Sequence, residues 1–144
     1  MASSRKETFT KEERIQRTFL RVARVLHEVW EEGWGHTRLL DEPMIPTHLV
    51  EVGRSLAGTD HREHVVPLLA IYNRCEEMFA AGQSLAEVSE FLRKHVMIVW
   101  ISKTEQQRID HQLGLKSKMP EGWSFDDDGA DVFARLRLGG VAWQ

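Results

Sequence analysis

Val96-Met97-Ile98-Val99-Trp100-Ile101 is the longest unbroken apolar run in the chain, and its reading decides the fold. Its β-branched residues suit a buried strand. Two considerations favour helix instead. Leu85, Val88, Leu92, Val96 and Val99 extend one face at three- and four-residue spacing, with no turn signal to interrupt it. A strand at this place would also lack an obvious partner. The expectation is therefore helix through the run.

Working outward, Gly82-Gln83 is a tight stop and Ser84 opens the helix that enters the run. Ser102 opens the next, which is expected to reach Leu113 and end at Gly114 in a left-handed cap. Ser84–Glu87 and Ser102–Glu105 are capping boxes, and Thr10–Glu13 and Asp60–Glu63 match the same pattern. In each, the first side chain accepts from a free N–H while the glutamate reaches back. Residues 11–32 read as the first helix, ended by Gly33-Trp34-Gly35, with Ile15, Phe19, Val22, Ala23, Leu26 and Trp30 on its apolar face. Pro43 and Pro46 mark a loop, and residues 47–57 suggest a short helix. Residues 60–81 read as a second long helix, with a kink at Pro67 or a late start near Val66.

Beyond Met119-Pro120-Glu121-Gly122-Trp123, a turn, residues 130–138 favour helix, although Ala134, Leu136 and Leu138 alternate with Arg135 and Arg137 as a strand would. The sum is an all-α, single-domain irregular bundle of five or six helices, with a flexible N-terminus at 1–9 and a looser segment at 116–144. Helix well above half of the chain is expected.

A chain of 144 residues buries roughly 68–70% of its unfolded surface without a staple. Cys75 is the only cysteine, so no internal disulfide forms and a reducing, cytoplasmic setting is expected. The six-residue apolar run is far short of a membrane span, and the N-terminus lacks an apolar signal core. Net charge is −3, but it is unevenly spread: +4 over residues 1–27, −6 over 28–82, +2 over 83–119 and −3 over 120–144. This argues against wholesale polyanion binding and leaves room for a local contact.

That contact would lie on the first helix. Arg14, Arg17, Arg21 and Arg24 recur at three- and four-residue intervals and continue into Glu28 and Glu31. Guanidiniums in a row present planar, bidentate donors to phosphates or carboxylates. The plainer reading is a solvated face. Trp34, Trp123 and Trp143 fall beside predicted turns, where an indole plugs the core or anchors a partner. Trp34, at the end of the arginine helix, is counted with the stripe.

Other constellations are weaker. Gly82-Gln83-Ser84 resembles the turn of a helix-turn-helix, but the apolar run that follows offers no hydrogen-bonding groups for base edges. His61 and His64 share a helical face if 60–81 is helix, yet Arg62 makes a poor neighbour for a cation. Glu28 with Glu31 and Glu87 with Glu90 are i, i+3 pairs that would hold Mg²⁺ if they faced each other, as in all-α nucleotide pyrophosphohydrolases, although the Glu-x-x-Asp half of that pattern is missing. Cys75 fits a packing role within an apolar stripe. Catalytic residues, metal ligands and cofactors are not expected.

The resulting expectation is a non-enzymatic binding or assembly protein, a small subunit of a nucleoprotein complex or a regulator, docking through Arg14, Arg17, Arg21 and Arg24. Its partner would be a protein or multi-subunit complex, with nucleic acid reachable through the basic helix and no membrane. The alternatives are a Mg²⁺-dependent nucleotide hydrolase and a helix-turn-helix-like regulator.

Overall fold

A computed structural model describes residues 8–144 and departs from the bundle at the run just quoted; the tail expected over 1–9 lies largely outside the described residues. The helix opened by Ser84 stops at His95, Val96 is extended, and Ile98–Ile101 form a strand. That strand, β3, is the middle of a three-stranded mixed sheet. On one side β1, Glu51–Arg54, runs parallel to it; on the other β2, His61–His64, runs antiparallel, with His61 opposite Ile101 and His64 opposite Ile98. The fold is mixed α/β, with about half of the chain helical, which corrects the all-α expectation.

The physical reason is burial on both faces. A central strand covered above and below reads as a continuous apolar run instead of an alternating one. Ile98, Val99 and Ile101 are all fully buried. Consecutive buried positions then satisfy a helical template by accident. The partners were hidden because the two edge strands read Glu-Val-Gly-Arg and His-Arg-Glu-His, with Val52 as their one aliphatic side chain.

Other boundaries move accordingly. Within the short helix expected over 47–57, only Thr47–Val50 (α2) is helical before β1 begins. The long helix expected over 60–81 starts only at Leu68, because Pro67 sits extended at its N-cap; α3 is Leu68–Ala80. Asp60–Glu63 is not a capping box: Glu63 belongs to a strand, and Asp60 accepts the N–H of Lys103 at 3.1 Å. The boxes at Thr10, Ser84 and Ser102 are formed, with both reciprocal hydrogen bonds present. They open α1 (Lys11–Glu32), α4 (Leu85–His95) and α5 (Lys103–Gln107). α5 gives way to a π-helical turn over Arg108–Gln112, and α6 is Ala134–Leu138.

α1 lies chiefly against α4 and buries Thr18, Phe19, Val22, Ala23, Leu26 and Val29. It ends at Gly33, whose φ of 81° is the left-handed cap that glycine adopts without Cβ strain. One hydrophobic cluster joins these helices to the sheet. The C-terminal segment has few regular elements yet is tied to the sheet. Arg54 and Gln144 exchange backbone hydrogen bonds of 2.9 and 3.0 Å, which covers the outer edge of β1. Trp143 packs where a side chain on Gly53 would stand, 2.5 Å from a Cβ built there. Among the described residues, no helix is long and apolar enough to cross a membrane.

Candidate functional site

Two polar features stand out from the structural surface. The first is the outer side of α1. Arg14, Arg17, Arg21 and Arg24 are all exposed, opposite the face that buries Phe19, Val22, Ala23 and Leu26. Arg17 stacks over the Phe9 ring at 4.4 Å, a cation–π contact that holds one guanidinium at the surface. Trp34, just past the helix end, is 58% exposed and donates its indole N–H to Glu32 at 3.1 Å. It does not plug the core, unlike Trp143. Trp123 lies between these, donating to the Asp131 carbonyl and packing edge-on to Phe125.

The second feature is a cleft of about 450 Å³ bordered by β2, the start of α3, the segment around α5, and α6. It was not foreseen as a site. Residues two apart on a strand share a face, so His61 and Glu63 lie together, and His61 Nε2 is 3.0 Å from Glu63 Oε1. The other carboxylate oxygen, Oε2, accepts from Arg135 at 2.9 Å. Arg135 is only 1% exposed and also donates to the carbonyls of Leu115 and His64, both at 2.8 Å. Asp110 stands 3.9 Å from the same guanidinium and accepts from Gln106 at 2.6 Å. A buried arginine thus joins two carboxylates from different parts of the chain.

The opposite face of β2 carries Arg62 and His64. Arg62 forks onto both oxygens of Asp41, at 2.7 and 3.0 Å. Burial works against the Asp41 charge, but those hydrogen bonds and one from the Glu42 N–H outweigh it and hold the carboxyl below its usual range. His64 lies 3.7 Å from Asp41. Burial drives its pKa down to about 4, Asp41 opposing and Arg62 assisting, so its imidazole is neutral near pH 7.

The metal pairing considered for His61 and His64 required a helix. On a strand, an i, i+3 pair points to opposite faces, and the two rings contact different carboxylates. One member of each glutamate pair is engaged elsewhere: Glu31 meets His27 at 3.4 Å and Glu87 closes the Ser84 box. Among the described residues no group of three or more His, Cys, Asp or Glu is arranged to hold a metal ion. Cys75 is buried, and burial pushes its thiol up to about 12, far from a reactive thiolate. The candidate helix-turn-helix is α3, a turn at Gly82, and α4, whose Val88 and Leu92 are buried.

Glu63, Asp110 and Arg135 were missed. The His-x-Glu spacing of His61 and Glu63 was a usable signal once β2 is taken as strand; Arg135 and Asp110 join only through tertiary structure. Comparison with known proteins finds no family model, no curated protein and no solved structure that matches this chain.

Proposed function

We propose that the protein is a docking subunit or regulator that binds the phosphate backbone of a nucleic-acid-containing assembly along the outer face of α1. The single observation that supports this is the exposure of Arg14, Arg17, Arg21 and Arg24 along the helix side opposite its buried face. Exposed guanidiniums exchange water for phosphate oxygens readily, releasing counterions as they do so. Trp34, exposed just past the C-terminal end of the same helix, offers an indole plane on which an unpaired base stacks. The lone buried cysteine suits a reducing, cytoplasmic setting for such an assembly.

The experiment is copurification from the native cell, with and without nuclease, of the natural protein and an Arg17→Gln/Arg21→Gln variant. Nucleic acid should accompany the natural protein and be strongly reduced with the variant. A partner retained after nuclease but lost with the variant would instead be an acidic protein surface, and the nucleic-acid reading would be wrong.

A further inference from the structure

We propose that the cleft along β2 is an acid–base site for a phosphoester, with His61 as the group that moves the proton. The inference goes beyond docking and rests on residues outside α1. His61 is about one-third exposed at the cleft while its carboxylate partner Glu63 is 9% exposed, so the imidazole meets solvent and its support does not. When Nε2–H donates to Glu63, the Nδ1 lone pair is left to accept a proton. Glu63 is fixed in turn by Arg135, which is fixed by the Leu115 and His64 carbonyls. A base oriented by a carboxylate, with that carboxylate locked by a buried cation, has the geometry of general acid–base catalysis.

The cleft also has groups that suit an anion. Lys116 and Arg62 border it, together with the neutral donors Gln106 and Ser117. Arg62 is already bonded to Asp41, which leaves Lys116 as the more available cation. The reaction balances with water alone. A water oxygen forms a bond to phosphorus as His61 takes the proton from that water. The bond from phosphorus to the leaving oxygen then breaks, and the same proton passes from the imidazolium to that oxygen. The imidazole ends neutral, with an acid phosphate and an alcohol as products. Glu63 and Arg135 are positioning residues in this scheme and touch no reacting atom.

The test uses the full chain in a metal chelator with 4-nitrophenyl phosphate and bis(4-nitrophenyl) phosphate, following release of 4-nitrophenolate. At least one probe should be hydrolysed above buffer. His61→Asn, at a partly exposed position, should keep the fold by circular dichroism and lose about 100-fold or more in kcat/KM. Lys116→Gln should raise KM with kcat little changed, which a purely structural lysine would not do. Hydrolysis of neither probe, or equal rates for the natural protein and His61→Asn, would overturn the proposal and leave the network as a structural strut.

Discussion

Replacing Arg135 with alanine is expected to destabilise the fold by about 3–5 kcal/mol, the range for breaking one side of a buried ion pair. The guanidinium is 1% exposed and bonds Glu63 at 2.9 Å and two backbone carbonyls. Removing it leaves Glu63 with a buried charge and no cation, Asp110 close by, and two carbonyls short of a donor. Natural domains are stable by roughly 5–15 kcal/mol, so the variant would be near the edge of folding. Urea unfolding at neutral pH measures the loss. An Arg135→Met/Glu63→Leu double variant should recover part of it, because removing both charges removes the orphan. A single-variant loss below about 1 kcal/mol would mean that the pair is solvated and the cleft differently built.

The second large effect is on pH. His64 titrates near 4 in the folded protein, against 6.5 as its ordinary value. Between those values the unfolded chain holds a proton that the folded chain does not, so stability falls as pH drops through this window and flattens below it. At 1.36 kcal/mol per pKa unit, the loss approaches roughly 3 kcal/mol. His95 works in the same direction, its pKa lowered first by burial, with the Phe91 carbonyl opposing. The carboxylates held low by hydrogen bonds, Asp41 and Glu42 among them, lose their contribution mainly at the acid end of the window and below it. Chemical denaturation at half-unit steps from pH 4 to 7 gives the slope. His64→Gln should flatten it by most of the His64 share, and parallel curves for the two proteins would contradict the assignment.

Much of the helical half of the fold was legible, because caps are local. Thr10, Ser84 and Ser102 each satisfy free N–H groups within three residues, and the glycine stops at 33 and 114 need only a left-handed backbone. The sheet was not legible. β3 has no alternation because both its faces are covered, and β1 and β2 have no apolar pattern because edge strands here are built of charged and polar residues. Only tertiary pairing makes strands of them. The same blindness hid the cleft. A helical template put His61 beside His64, whereas the strand puts His61 beside Glu63. Nothing local in Ala134–Leu138 marks Arg135 as buried and Arg137 as exposed. The arginine stripe needed only one helix, and its exposure followed from the apolar face opposite.

The measurement that bears most directly on the proposed docking role is the salt dependence of binding to labelled oligonucleotides of unrelated sequence. The natural protein should bind them with similar affinity, and log K should fall linearly with log salt. Arg17→Gln/Arg21→Gln should change folding stability by about 1 kcal/mol or less, weaken binding equally across sequences, and make the slope shallower by about two counterions. Absent binding by the natural protein, or affinity and slope unchanged in the variant, would contradict the account.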